Sequence, residues 1–523
     1  CIRDSTYVDV HDQAVRAQVL ARLSDTLQAT VQVRARDYKG QGIATRAWGA
    51  GPGGTTLFGP APTLDVDEAA YTGKAEDRIE HNGVQLNLEW ELGELTLNSI
   101  TAFDDVHEKA QGPNMGIYEF GRSYSDDQWR QVSQELRLSS PKNQPISWIV
   151  GTHLFHESLD SSSSSAILPA AYNAPFGVAS YARTDLDQTT TSYALFGSST
   201  WQATDDLSLT LGLRWTRETK DIDLHRVAAP GANGVSFSSS DNWWKNYTGA
   251  LDTVAVQDEN RTWNKLTYDF TPEYQLNDNA RVYFRYAKGF RSGGFNGGAT
   301  VQAETSVVAP ETVDAYELGI KSEWLDERVI ANANVFYYDY DNMQVNATTT
   351  TANGSIVSML VNDAEGKAKG AELELQARPI DDLLVQFSAS FLDTEFTGER
   401  WKGNTFVRSP RHVYALGADY RLPLDIPGKI NIGGDVRYQS REYFISALQD
   451  SRWSNLYQGG YALANAHVTY ATADDKYSVT GYVNNLGNKQ YQVHGISLGG
   501  GNAPYWVAYG EPRTSGVAVT ARF

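Results

Sequence analysis

Apolar and polar residues alternate with period two through most of the chain. Leu207, Leu209, Leu211, Leu213 and Trp215 interleave with Ser208, Thr210, Gly212, Arg214 and Thr216. Val84, Leu86, Leu88 and Trp90 alternate with Gln85, Asn87, Glu89 and Glu91, and Ala371, Leu373, Leu375 and Ala377 with Glu372, Glu374 and Gln376. Successive side chains of a strand point to opposite faces, so each segment has one apolar and one polar face. The pattern predicts about nineteen strands. They lie near 13–23, 27–38, 82–92, 95–107, 130–139, 146–158, 190–202, 207–222, 260–275, 280–290, 313–325, 328–344, 366–378, 382–396, 409–422, 428–445, 457–472, 476–491 and 510–523. Many exceed the ~5–6 residues usual in globular sheets and suffice for the ~9–11 residues with which a tilted strand crosses a bilayer.

The connections alternate short and long. Ser24–Thr26, Pro141–Gln144, Ala203–Asp206, Asn277–Asn279, Asp326-Glu327, Ile380-Asp381 and Ala473–Asp475 are short, and each carries Asp, Asn, Pro or Ser, residues that turns favour. The stretches 39–81, 159–189 and 223–259 are long, and the serine run Ser161–Ser165 reads as a mobile loop tip. Short turns on one side and long loops on the other mark an outer-membrane barrel, a closed cylinder with an apolar exterior and a wet bore. Such barrels have an even strand count with both ends on one side, which predicts at least one more strand before Cys1. No composition shift marks a domain boundary, so residues 1–523 read as one all-β, transmembrane antiparallel β-barrel domain.

Composition agrees. Mean hydropathy is −0.43, and no stretch approaches the ~18 consecutive apolar residues of a membrane helix. The chain holds 29 Tyr, 13 Trp, 18 Phe and 45 Gly, suiting aromatic girdles and turns. A net charge of −19 argues against nucleic acid. Cys1 is the only cysteine, so no intrachain disulfide forms.

Several segments together resemble one family. LTLNSITAF (95–103), QELRLS (134–139), AKGFRSGGFN (287–296), YELGI (316–320), VNNLGNKQY (483–491) and PRTSGVAVTARF (512–523) occur in order along nearly the whole chain. The set is similar to the barrel of TonB-dependent outer-membrane receptors. The resemblance implies about 22 strands around an N-terminal plug, of which this chain would hold roughly the last nineteen, the plug and first strands lying outside it. It further implies active transport of a scarce substrate, with a ferric siderophore as first expectation. Expected partners are that small molecule, the TonB–ExbB–ExbD complex acting through the plug, and outer-membrane lipid and lipopolysaccharide. A surface lipoprotein is a further possible partner. In the last strand Val517, Val519, Ala521 and Phe523 share a face, and a terminal Phe523 resembles the signal for barrel assembly.

No catalytic residues, cofactor or metal site are expected. No nucleophile elbow on a strand-to-helix turn is read in the sequence. His153 and His156 fall on opposite faces of a strand. Asp339, Asp341 and Asn342 lack calcium-loop spacing. Gly289, Gly293, Gly294, Gly297 and Gly298 form a strand-to-loop junction read as bending and flexibility. On the polar faces Arg214, Arg285, Arg291, Glu372 and Glu374 are expected to face the lumen. Trp243, Trp244 and Tyr247 in loop 223–259, Tyr118, Phe120 and Tyr124 in loop 108–129, and Tyr505 and Trp506 in loop 492–509 are candidate substrate contacts, since aromatic rings stack on planar or sugar-like ligands; loop packing is the plain alternative. A passive porin, an outer-membrane hydrolase, and uptake of a glycan, vitamin B12 or a plant aromatic compound remain open.

Overall fold

The computed structural model describes residues 10–40, 46–48, 55–56, 59–60, 76–114, 121–167, 181–229, 243–245, 247, 249–350, 356–399, 401–445, 456–497 and 505–522. Nineteen strands form one sheet. The first six are β1 (Val10–Arg22), β2 (Leu27–Gly40), β3 (Glu76–Leu92), β4 (Leu95–Asn114), β5 (Gly121–Ser139) and β6 (Ile146–Ile167). Next come β7 (Tyr181–Gln202), β8 (Leu207–Ala228), β9 (Asp252–Asn277), β10 (Ala280–Arg291), β11 (Glu311–Trp324) and β12 (Val329–Thr350). The chain finishes with β13 (Ile356–Ile380), β14 (Leu383–Phe396), β15 (His412–Leu422), β16 (Lys429–Gln439), β17 (Tyr461–Ala471), β18 (Tyr477–Asn484) and β19 (Thr514–Ala521). Within this sheet every ladder is antiparallel and joins consecutive strands, from β1–β2 through to β18–β19. All nineteen expected strands are present.

One end of the sheet carries the tight turns. Leu23 N–H donates to Leu27 O and Ala203 N–H to Leu207 O, each at 2.8 Å. Gly93 takes φ +68 in the turn before β4, where a side chain would meet left-handed strain. At the other end the strands run farther than alternation indicated. Ser161–Ser165 is no loop tip: it is the end of β6, laddered to β5 through Ser163↔Ser125 and to β7 through Ser163↔Thr184. Along Ser161–Ser165 neither face is apolar, so alternation fades while backbone pairing continues. The stretches expected as loops 108–129, 159–189 and 223–259 shrink accordingly.

Most large apolar side chains stand exposed on one face. Val33, Val84, Phe103, Val132, Leu154, Leu195, Leu213, Leu266, Leu318, Val335, Leu373, Leu416 and Val468 all belong to this set, and Val517 and Val519 are 70% and 73% exposed. Trp90, Trp201, Tyr274, Trp324 and Tyr477 border the band on the tight-turn side. Opposite runs an aromatic row across β9–β12, with Tyr286–Tyr316 centroids 4.9 Å apart and Tyr316–Tyr337 6.3 Å apart. An apolar belt between two aromatic rims is the exterior of a membrane barrel.

Strands β1 and β19 are the edges of the sheet, and no ladder joins them among the described residues. A small sheet brings their neighbourhoods together instead. Residues Tyr505–Tyr509, between β18 and β19, pair with Gln492–Ser497 and also with Arg46–Trp48, between β2 and β3. The expected cylinder is therefore clasped at its outer rim by connections.

Candidate functional site

The face opposite the apolar belt is polar, and its residues meet in cross-strand rows. Arg34, Gly83, Asp104 and Gln131 form one such row on β2–β5. Asp104 is 5% exposed. It accepts from Arg34 Nε at 3.0 Å and Nη2 at 2.5 and 2.6 Å, pairs with His81 Nε2 at 2.7 Å and accepts from Gln131 Nε2 at 3.4 Å. Arg34 reaches Asp104 across an intervening strand, and Gly83 makes room. A Cβ there would lie 2.4 Å from Asp104 Oδ1 and 2.6 Å from Arg34 Nε. A buried carboxylate persists only with such pairing.

Farther round the same face a 580 Å³ cavity is lined by Arg137, Phe196, Arg214, Asp269, Arg285, Glu317 and Tyr338. The guanidinium of Arg214 lies 5.6 Å from the Phe196 ring centroid, and its Nε donates to Thr216 Oγ1 at 3.2 Å. Arg137 pairs with Glu135 at 3.1 Å. Glu317 accepts from the Tyr283 hydroxyl. Gly212 stands opposite Asp269, whose Oδ1 would lie 2.2 Å from any Cβ placed there. With Glu135 counted, three guanidinium groups stand among three carboxylates, so the wall offers paired polar charges rather than a net positive one.

Each candidate can now be placed. Arg214 and Arg285 line that cavity. Glu372 accepts from Asn334 Nδ2 at 3.3 Å, and Glu374 lines a separate 590 Å³ cavity with Asp435. Arg291 is exposed at the end of β10, opposite Glu311 in register. By strand parity all five share the polar face. Alternation could have flagged Arg34, Arg137, Asp104 and Asp269 too; their partnerships needed the register.

The glycine-rich junction is packed rather than flexible. The connection between β10 and β11 folds onto the polar face, where Gly294-Phe295 pairs with Val307-Val308. Phe295 is buried with Ile222, Leu224 and Ala255, and Trp263 packs against them. Gln302 clips this strap to β9, donating to Val256 O at 3.0 Å and accepting from Val256 N at 2.9 Å. A Cβ on Gly293 would lie 2.3 Å from the Trp263 ring, so close approach explains that glycine.

The aromatic candidates separate. Tyr118, Phe120 and Phe523 lie outside the described residues. Tyr505 and Trp506 are on the clasp strand, not in a loop. Tyr124 is on β5, and Trp243–Lys245 form a single 3-10 turn. Trp244 stacks on Tyr124 with centroids 3.9 Å apart, and Tyr247 on Tyr181 at 4.5 Å. Asp339 and Asp341 share a face in the middle of β12, not at a strand top; Asn342 has φ +54 beside a register shift. Among the described residues no three His, Cys, Asp or Glu are grouped as a metal would require.

The family model described as "TonB dependent receptor-like, beta-barrel" matches residues 20–486. The chain belongs to the TonB-dependent receptor β-barrel family. This receptor barrel is 30% identical over 258 residues to the ferric-pyoverdine M114 receptor PbuA of Pseudomonas sp. (strain M114), covering 48% of the chain and 29% of that protein. It is 22% identical over 367 residues to the probable TonB-dependent siderophore receptor PiuA of Acinetobacter baumannii, covering 67% of the chain and 43% of that protein. The chain thus spans less than half the length of these curated relatives. Its fold matches the crystal structure of the ferric yersiniabactin uptake receptor FyuA from Yersinia pestis with a TM-score of 0.77 at 18% identity, covering 98% of this chain and 71% of that one. TonB-dependent receptor barrels reside in the outer membrane, so the exposed apolar belt faces lipid and the polar face lines the bore.

Proposed function

We propose that residues 1–523 form the transmembrane barrel of a transporter that takes a ferric siderophore across the outer membrane. The observation that carries this is the family match along nearly the whole chain, joined to relatives named for ferric pyoverdine and ferric yersiniabactin. In the complete protein an N-terminal plug fills the bore and is pulled by the TonB–ExbB–ExbD complex. The guanidinium groups of Arg214 and Arg285 in the cavity on the polar face offer donors to carboxylates or other acceptors on a chelate in transit or on the plug.

The test uses the full-length receptor. Purified protein is titrated with ferric hydroxamate, catecholate and mixed-ligand chelates, following tryptophan fluorescence. Iron-starved cells are then assayed for labelled-iron uptake with and without TonB. Saturable binding of one chelate and TonB-dependent uptake are expected. Binding of vitamin B12, a glycan or a plant phenolic instead would replace the cargo and leave the transporter. TonB-independent flux would favour a passive channel.

A further inference from the structure

The strap between β10 and β11 is folded as a unit of its own. Among the described residues Gly294-Phe295 ladders with Val307-Val308 alone, and no ladder joins the strap to the barrel sheet. Its ties to the wall run through side chains. Gln257 Nε2 donates to Ser306 O at 3.3 Å, Ser306 Oγ to Leu360 O at 2.9 Å, and Gln344 Nε2 to Ser292 O at 2.7 Å. Asn362 accepts from Ala309 N at 2.6 Å and donates to Ala309 O at 3.0 Å. A segment held this way opens at a lower free energy than the laddered strands around it.

What the strap covers lies in the bore. Ile222, Leu224 and Arg226 carry the parity of Arg214 on β8, and Leu186 and Thr184 stand opposite Leu224 and Arg226 on β7. Ile222 lies beyond Arg217, the partner of Tyr193 at the upper border of the apolar belt. At ~3.3 Å per residue it is about 16 Å farther out along the strand, in the mouth of the bore. The wall there is apolar with a cation at its edge. Phe295 sits among Ile222, Leu224 and Ala255, with Leu186 and Trp263 beside it, and the Trp263 centroid is 6.3 Å from its own. Arg226 donates Nη1 to Thr184 Oγ1 at 2.6 Å, and its buried Nε has no hydrogen-bond partner. The strap brings the opposing charge: Glu304, itself buried, offsets part of the cost of burying that guanidinium. Gln257 is buried too, and its Oε1 is unpartnered. Buried polar atoms left unmatched raise the free energy of the closed strap.

We propose that Phe295 and Glu304 occupy a cargo subsite, and that a ring bearing an anionic oxygen (a catecholate, phenolate or aryl carboxylate) takes their place when the strap lifts. The strap is an internal competitor that presents the same two groups, an aromatic ring and a carboxylate. Ring replaces ring against Ile222, Leu224 and Trp263, and anionic oxygen replaces carboxylate beside Arg226. With the strap lifted, the charge left unmatched is Arg226. Lys220 and Arg261, deeper on the same face, keep Glu218 at 3.3 Å and Glu259 at 2.6 Å. A hydroxamate or citrate complex offers no ring for the apolar floor. Because cargo and strap compete, apparent affinity is the intrinsic affinity reduced by the fraction of receptors with the strap open. The inference rests on the transporter reading and narrows its cargo.

The experiment titrates full-length receptor and its Phe295→Ala, Glu304→Gln and Arg226→Gln variants, with heat-modifiable gel mobility verifying folding. The probes are ferric tris-catecholate, ferric tris-acetohydroxamate, ferric citrate and iron-free vanillate. Phe295→Ala and Glu304→Gln should tighten the catecholate at least about fivefold by weakening the internal competitor. Arg226→Gln should weaken it by at least about the same factor, with the hydroxamate and citrate complexes unchanged throughout. Glu304→Gln lies in the connection and disturbs no barrel ladder, so it remains informative if a strand variant fails to fold. Tightening of vanillate alone would keep the slot and make its occupant an iron-free aromatic acid. Unchanged or weaker binding of both aromatic probes in Phe295→Ala and Glu304→Gln would overturn the proposal, as would an equal shift for the hydroxamate. Binding of only the hydroxamate or citrate complex would remove the slot and leave the transporter reading standing.

Discussion

The two sides of the barrel are built to different heights. Strands β4–β9 run 19 to 26 residues, whereas β15–β19 run only 8 to 11. The short wall stops close to the apolar belt, and its connections fold into separate small sheets such as Glu442-Tyr443 with Tyr457-Gln458. The tall wall carries its ladders on beyond the belt, where its inner face meets the strap over Ile222 and Leu224. Membrane burial thus fixes strand position in the lower part, while backbone pairing and polar contacts extend the strands above. Specific cross-strand chemistry concentrates on the tall side.

The largest expected effect comes from two glycines, one on β3 beside the tall wall and one on the short wall. Gly83→Val on β3 would drive a side chain into the Arg34–Asp104 pair and should destabilise the barrel by about 3 kcal/mol or more, the cost of breaking a buried ion pair. Gly481→Val on β18 meets nothing within 4 Å and should stay within about 0.5 kcal/mol. Urea unfolding of the refolded barrel in detergent separates the two, and equal losses would erase the distinction between the walls. Phe295→Ala should loosen the inner strap by about 3 kcal/mol, read as faster amide exchange at 292–309 with β15–β19 unchanged.

Height can be cut more finely along one strand. Leu195→Arg, inside the belt, should cost about 2–4 kcal/mol, whereas Thr189→Arg, above it on the same face, should cost about 0–1 kcal/mol. Comparable penalties at both sites would place the membrane boundary elsewhere. The smallest effect belongs to the outer rim of the short wall. Burial and the adjacent Arg408 charge hold the His494 imidazole below its ordinary pKa, and its Nδ1 accepts from Arg408 Nη2 at 2.8 Å. Lowering the folded-state pKa means that local stability is present at neutral pH and is lost as pH falls from the ordinary histidine range through the depressed value. Amide protection factors at 492–497, corrected for the intrinsic exchange rate, should therefore fall on mild acidification, and His494→Gln should flatten that dependence.

Strand number, order and tight-turn ends were legible because lipid on one side and water on the other impose alternation. The upper ends were not. Ser161–Ser165 offers no apolar face, so a laddered strand and a loop look alike there. Parity likewise placed Arg214, Arg285, Glu372 and Glu374 on one face. It could not show that Asp104 meets Arg34, because that contact depends on the register of three strands and on a missing side chain at Gly83. The surroundings of the aromatic candidates were hidden for a related reason. Composition identified Trp244 and Tyr124 as ring-rich, but only the unbroken register of β5–β8 reveals which side of the wall they occupy.

The rim clasp couples distant stretches of polypeptide. Tyr505↔Trp48 and Val507↔Arg46 are backbone partners drawn from opposite ends of the chain. An insertion that slips one of them by a single residue flips every side chain it presents there. Variation in the last long connection is therefore answerable to the first, and a receptor reshaped by exchanging surface loops would have to inherit these two as a set.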